Sequence, residues 1–143
     1  IVYNRRGRMS YADAVAYLAG EIPAPVESQI THEIDWFLHI NHPVPKVAIL
    51  CERYAYVSLE NRDLRITFDK NLRFRTDSLD LTLGSSGEPI IDPDMVLMEI
   101  KIPGATPLWL AHLLRELGIF PQSFSKYGTC YKNSIRQSIF FME

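Results

Sequence analysis

Apolar residues recur at every second position in two stretches of the chain. In residues 96–102 the apolar positions are Val96, Met98, Ile100 and Ile102. In residues 64–69 they are Leu64, Ile66 and Phe68. Because a period of two is typical of β-strands, both stretches are predicted to be strands with one apolar face.

The opposite faces of these two predicted strands carry charge. Glu99 and Lys101 alternate with the apolar residues of one stretch, and Arg65 and Asp69 alternate with those of the other. Two strands that each have an apolar and a charged face favour a sheet curled around a polar interior. Such an interior would suit a charged ligand.

The other strand candidates follow from their apolar or aromatic character and from the turn residues between them. Residues 46–59 and 64–75 are the longest candidates, and the turn 60–63 between them predicts a β-hairpin. Shorter strands are predicted in residues 1–9 and 124–131.

Three stretches have apolar residues at helical spacing. The first is 11–18, with Ser10 as its N-cap, and the second is 28–40, which two prolines end. The third helix begins at a Thr106 cap and ends at Gly118. This order of elements predicts an α+β fold, with a mainly antiparallel sheet curled into a partial tunnel or barrel and helices at its flanks.

Length, charge and cysteine content limit the class of protein. The 143 residues are one domain's length, so we expect a single domain over 1–143. A formal net charge of −2 argues against a nucleic-acid-binding protein that depends on a broadly basic surface. Two cysteines without a CxxC pair provide neither a disulfide framework nor a structural zinc site. They favour a reducing compartment, and we expect a cytoplasmic protein.

Several cations fall on or near the predicted strands, and these are the candidate ligand-binding residues. Arg53 and Arg65 belong to the two arms of the hairpin, and Lys101 and Lys126 follow later in the chain. An arginine in a strand is commonly a solvated edge residue or one half of an ion pair. A converging set is instead typical of phosphate binding, because arginine offers paired N–H donors and lysine a point charge.

Glu99 has two interpretations. As a structural residue it would pair with Lys101 or with an arginine across the sheet. As a functional residue it would hold Mg²⁺ or Mn²⁺, which prefer oxygen ligands and would bridge phosphate oxygens. One carboxylate is a weak metal site, so water and substrate would have to complete the coordination shell.

Four stretches of this chain resemble the polyphosphate polymerase (VTC) domain, a member of the triphosphate tunnel metalloenzyme superfamily. They are RYAYV at 53–57, DLRITFD at 63–69, LMEIK at 97–101 and SFSKYGT at 123–129. The resemblance is good over residues 46–132 and looser over residues 1–19. The chain opens on Ile1 in strand-like sequence, and we therefore expect it to be the C-terminal portion of such a domain, without its N-terminal strands.

The resemblance implies a tunnel of antiparallel strands that grips a triphosphate or polyphosphate chain. It implies a metal-dependent phosphotransferase that moves the γ-phosphate of ATP onto growing polyphosphate. By motif, the predicted phosphate contacts are Arg53, Arg65 and Lys126, with Ser125 assisting, Arg6 as a weaker match and Glu99 holding Mn²⁺ or Mg²⁺.

Three other functions remain open at this stage. The chain is alternatively a non-catalytic module that binds polyphosphate or inositol phosphates, a tripolyphosphate hydrolase, or an inactive structural remnant. ATP and polyphosphate are the expected partners, and nucleic acid is not. The resemblance also allows for a location at the cytoplasmic face of a membrane, beside a membrane-protein partner that the sequence does not identify.

Overall fold

The computed structural model describes residues 6–132, which fall into two compact units, 6–44 and 45–132. The first unit contains helices α1, Tyr11–Leu18, and α2, Gln29–Asn41. Of the strand predicted in residues 1–9, the first five residues lie outside the described residues, and the remainder has no strand.

Both helices of the first unit begin at serine caps, and the one at Ser10 confirms the cap that the sequence predicts. The hydroxyl of Ser10 accepts a hydrogen bond from the backbone N–H of Asp13, and Ser28 forms a capping box with Thr31. Within this unit the buried Tyr17 donates to the Asp35 carboxylate over 2.5 Å. Burial, helped by this hydrogen bond, raises the pKa of Tyr17 to about 12.

The second unit is an antiparallel sheet with two helices. Its elements are β1 (Ala48–Val57), β2 (Arg65–Arg75), β3 (Glu88–Pro89), β4 (Leu97–Lys101), α3 (Leu108–Glu116) and α4 (Lys126–Cys130). Strand β2 pairs with β1 along one edge and with β3 and β4 along the other. The predicted hairpin and the α+β class are therefore confirmed.

The sheet is open over residues 6–132. Strand β1 pairs only with β2 there, and no described strand joins β1 to β4. The tunnel or barrel expected from the sequence is thus not closed by the part of the chain that the structure describes, and the tunnel stays a prediction.

A β-bulge in the hairpin changes which residues share a face. Between the pairs Glu52–Lys70 and Leu50–Arg73, two residues of β2 lie opposite one of β1. Asn71 takes a positive φ of 49°, and its side-chain amide donates to Glu52 over 2.7 Å. The extra residue reverses the alternation of faces in the later part of β2. Phe74 therefore lies on the same face of the sheet as Asp69.

The core of the second unit lies on that face, beyond the bulge. Its buried members are Leu72, Phe74, Ile90 and Cys130, with Val47, Ile49, Ile91 and Leu97 packed around them. Cys130 belongs to α4, in a segment predicted to be a strand, and that prediction is wrong. The hydroxyl of Ser125 caps this short helix by accepting from the Gly128 N–H over 3.1 Å, and burial of Cys130 fixes it against the sheet.

Helix α3 ends as predicted but begins differently. Its N-cap is Pro107, which makes no side-chain capping bond, so the predicted Thr106 cap is wrong. Gly118 follows the C-cap Leu117 with φ of 64°, a conformation that glycine adopts without strain. No helix among residues 6–132 is long and apolar enough to cross a membrane.

Candidate functional site

The candidate site lies on one face of β1, β2 and β4, next to the apolar core. Directly opposed residues of paired strands point to the same face. The register opposes Arg53 to Asp69, Thr67 to Glu99, and Arg65 to Lys101. Polar and charged side chains from three strands therefore share this face.

Asp69 lies at the centre of the arrangement and has 0% of its side chain exposed. Arg53 donates to it in a bidentate arrangement, from Nε to Oδ1 over 2.6 Å and from Nη2 to Oδ2 over 2.6 Å. The ammonium of Lys126 lies 2.8 Å from the same Oδ2. The hydrogen bonds from Arg53 and then Lys126 outweigh burial and lower the pKa of Asp69 to about 2.

Glu99 is the second carboxylate of the site and is 31% exposed. Its Oε1 lies 2.5 Å from Lys126 Nζ and 4.0 Å from Arg53 Nη2, and its Oε2 lies 3.8 Å from Lys101 Nζ. The hydrogen bond from Lys126, against the effect of burial, lowers the pKa of Glu99. Burial opposes the charge of Lys126, but its two carboxylate partners outweigh that effect and raise its pKa.

We call these five residues the charged cluster: Arg53, Asp69, Glu99, Lys101 and Lys126. Its three cations and two carboxylates leave it one positive charge in excess. Lys126 reaches the cluster because Cys130, one helical turn later on the same side of α4, is buried in the core. The core beyond the bulge thus positions the cation that joins the two carboxylates.

The structure brings together four of the residues predicted from the sequence, namely Arg53, Glu99, Lys101 and Lys126. Glu99 forms ion pairs with Lys101 and Lys126, in line with its structural interpretation, and metal binding by its partly exposed carboxylate stays a prediction.

Three other predicted site residues have different surroundings. Arg65 is exposed on the same face of the sheet, opposite Lys101 on β4. Ser125 uses its hydroxyl to cap α4, directly before Lys126. Arg6 is an exposed residue of the first unit, where it precedes α1. Their roles in phosphate binding stay predictions.

Sequence reasoning missed the residue at the centre of the cluster. Asp69 was assigned to the polar face of its strand but given no role. Its position opposite Arg53 depends on the hairpin register, which the alternation of residues does not specify. The sequence did contain one signal for Asp69: it is an acidic residue at the end of an alternating run, on the same predicted face as Arg65 and Thr67.

The oxygen donors of the site fit a divalent cation only in part. Residues 6–132 contain no group of three or more His, Cys, Asp or Glu that would enclose a metal ion. Glu99 is the exposed carboxylate of the cluster, whereas Asp69 is buried and committed to its cations. Opposite Glu99, the buried hydroxyl oxygen of Thr67 makes no hydrogen bond. Among these oxygens, those of Glu99 are the ones accessible to a divalent cation, and metal binding by Glu99 stays a prediction.

Comparison with known proteins identifies the family. The model of the VTC domain family matches residues 5–135, which is most of the chain and includes both compact units. No curated protein and no solved structure is significantly similar to the chain. The chain belongs to the VTC domain family, and this membership links it to polyphosphate-related function.

Proposed function

We propose that this member of the VTC domain family binds the phosphates of ATP and polyphosphate at the charged cluster. The reaction proposed is transfer of the γ-phosphate of ATP onto a growing polyphosphate chain, with Mn²⁺ or Mg²⁺ as cofactor. Family membership supports the polyphosphate chemistry, and the charged cluster supports the place where it occurs.

One observation carries the proposal. Arg53 and Lys126 converge on carboxylate oxygens at 2.6 to 2.8 Å, and a phosphate offers oxygens of the same charge and similar spacing. Arg65 and Lys101 extend the positive charge along the same face. A row of cations suits a ligand with regularly spaced negative charges, such as polyphosphate.

The chemistry needs little more than alignment and neutralisation of charge. Phosphoryl transfer passes through a transition state whose charge is spread over the phosphoryl oxygens, and fixed cations stabilise it. A divalent ion bound at Glu99 would neutralise further charge on the phosphates. Arg53 and Lys126 would hold the phosphates in place while the acceptor chain approaches.

The test is polyphosphate synthesis by the full chain from ATP, with and without Mn²⁺, measured as chain growth on gels. Arg65→Ala and Glu99→Gln should each abolish growth, whereas Glu60→Gln, in the exposed turn after β1, should not. Retained synthesis in both Arg65→Ala and Glu99→Gln would refute the proposal. Release of phosphate from tripolyphosphate without chain growth would instead identify a hydrolase.

A second candidate function is a metal-independent binding module for polyphosphate or inositol phosphates. One observation favours it: both carboxylates of the charged cluster are already neutralised by cations, so that neither is a preformed metal ligand. Titration of polyphosphate into the chain separates the two functions. A binding module should bind equally well with and without Mn²⁺, and the phosphotransferase should bind more tightly with it.

A further inference from the structure

Two carboxylates share the ammonium of Lys126, but they are held very differently. Asp69 is 0% exposed and accepts three charged hydrogen bonds, two from Arg53 and one from Lys126. Glu99 has a close contact only with Lys126, since its distances to Lys101 and Arg53 are 3.8 and 4.0 Å.

This difference decides which carboxylate an incoming anion can replace. Asp69 has no access to water, so separating it from its cations would leave an unpaired charge in the interior, which is strongly unfavourable. Glu99 is partly exposed and can exchange its bond to Lys126 for hydration or for a metal ion. An anion that approaches Lys126 therefore competes with Glu99 and leaves Asp69 in place.

We propose that Asp69 is a positioning residue that holds Arg53 and Lys126 in the arrangement that binds phosphate, whereas Glu99 is the anion that phosphate displaces. The proposal rests on the proposed phosphate-binding function and adds a division of roles between the two carboxylates. Asp69 acts through its cations and does not touch the substrate.

A consequence is that phosphate and metal assist each other's binding. Phosphate on Lys126 releases Glu99, and a released Glu99 is available to a divalent cation. A divalent ion held by Glu99 would in turn leave Lys126 available to phosphate. Because coupling between two binding sites is reciprocal, each ligand raises the affinity for the other by the same factor.

The test compares two neutralising substitutions by calorimetric titration of the full chain with tripolyphosphate in the absence of divalent metal. Asp69→Asn and Glu99→Gln each remove one negative charge. If the carboxylates mattered only through their charge, both variants would bind more tightly. The proposal predicts opposite signs: Glu99→Gln about fivefold tighter, and Asp69→Asn about tenfold weaker because its amide cannot hold both cations.

The matched controls are Glu60→Gln and Asp63→Asn, which remove the same charges from the exposed turn between β1 and β2. Neither should change the affinity by more than about twofold. Tighter binding by Asp69→Asn, or weaker metal-free binding by Glu99→Gln, would overturn the proposal. The Glu99→Gln result stands by itself if Asp69→Asn fails to fold.

A second measurement separates this proposal from the proposed function. The side-chain Nε–H of Arg53 is bonded to Asp69 and should give a protected NMR signal in the wild type and in Glu99→Gln. The signal should be lost in Asp69→Asn. If it behaves so but the wild type binds no tripolyphosphate, the phosphate-binding function fails and the holding role of Asp69 stands. If the signal persists in Asp69→Asn, the positioning role is refuted.

Discussion

The charged cluster and the loop after β2 both depend on an arginine of the same hairpin, but the two guanidinium groups have different kinds of partner. Arg53 is bound by a carboxylate and has 43% of its side chain exposed. Arg75 is 7% exposed, and its hydrogen-bond partners within residues 6–132 are backbone carbonyls. These carbonyls belong to Ser78 at 2.7 Å, Asp80 at 2.7 Å, Gly84 at 3.0 Å and Ser86 at 3.1 Å.

The difference shows how one residue type serves ligand binding in one place and structure in another. The guanidinium of Arg53 is held by Asp69 but stays partly exposed, so it can contact a phosphate while Asp69 remains in place. A backbone carbonyl cannot leave its donor unless the loop itself opens. Arg75 therefore fixes the loop 78–86, whereas Arg53 belongs to a cluster whose partly exposed member, Glu99, can give way to a phosphate.

The largest effect is expected from removing the fixed arginine. Arg75→Met should lower the free energy of unfolding by at least about 3 kcal/mol, because four carbonyls lose a charged donor. Urea denaturation followed by fluorescence measures this change. Binding of tripolyphosphate by the folded variant should be unchanged, since no atom of Arg75 belongs to the charged cluster.

Arg62→Met, in the exposed turn of the hairpin, is the control for loss of a positive charge and should leave stability within about 0.5 kcal/mol of the wild type. If folded Arg75→Met lost as much tripolyphosphate affinity as a variant of Arg53, the two regions would not be functionally separate.

A pH series sharpens the comparison, because the partner of Arg53 titrates and the partners of Arg75 do not. Arg53 and Lys126 lower the pKa of Asp69 from its ordinary 3.8 to about 2. The stabilisation from Asp69 is therefore complete above about pH 4 and is lost as the pH falls towards 2. It amounts to about 2 kcal/mol.

The measurement is the difference in unfolding free energy between wild type and Asp69→Asn, which should shrink by about 2 kcal/mol from pH 5 to pH 2. The difference between wild type and Arg75→Met should stay constant over the same range. Asp63→Asn should follow the wild type throughout. A constant difference for Asp69→Asn would contradict the strong pairing of Asp69 with its cations.

Much of this fold could be predicted because local patterns and tertiary packing agree. In the hairpin, an apolar run at residues 47–51 and an alternating run at residues 64–69 stand on the two sides of a turn, and the helices of the first unit begin at Ser10 and Ser28. In these elements each residue has the local preference that its final position requires. Their bounds in the structure differ from the predicted ones by a few residues at most.

The elements that were predicted wrongly depend on contacts distant in sequence. The segment 124–131 is aromatic and resembles a strand, but burial of Cys130 and the Ser125 cap make it helical. The bulge at Asn71 is equally invisible, because the apolar residues fall at even positions on both sides of it, with Phe68 before it and Leu72 after it. Only the register shows that Phe74 shares a face with Asp69.

The same limit applies to the site. Its cations could be named from the sequence, since arginine and lysine in strands are conspicuous and the motifs match the family. Which acid pairs with which cation depends on register and on the docking of α4, so that the central role of Asp69 emerged only from the structure.

Replacing Arg53 by lysine removes the paired hydrogen bonds of the guanidinium at constant charge. Arg53→Lys should weaken tripolyphosphate binding about tenfold, or about 1.4 kcal/mol, because an ammonium cannot make the paired bonds of a guanidinium. Calorimetry at fixed salt measures the change, with Arg62→Lys as control. An affinity equal to that of the wild type would show that Arg53 contributes charge alone.

The smallest effect concerns Ser125, for which the family resemblance and the structure suggest different roles. As an N-cap, its loss in Ser125→Ala should cost about 1 kcal/mol of unfolding free energy, whereas Ser125→Asp should keep the cap. If Ser125 instead contacts phosphate, Ser125→Asp should weaken tripolyphosphate binding more than Ser125→Ala does, because a carboxylate repels phosphate. Chemical denaturation and tripolyphosphate titration of both variants therefore distinguish the roles. If Ser125→Asp is as stable as the wild type and also binds tripolyphosphate equally well, Ser125 serves only to hold α4 in place and with it Lys126.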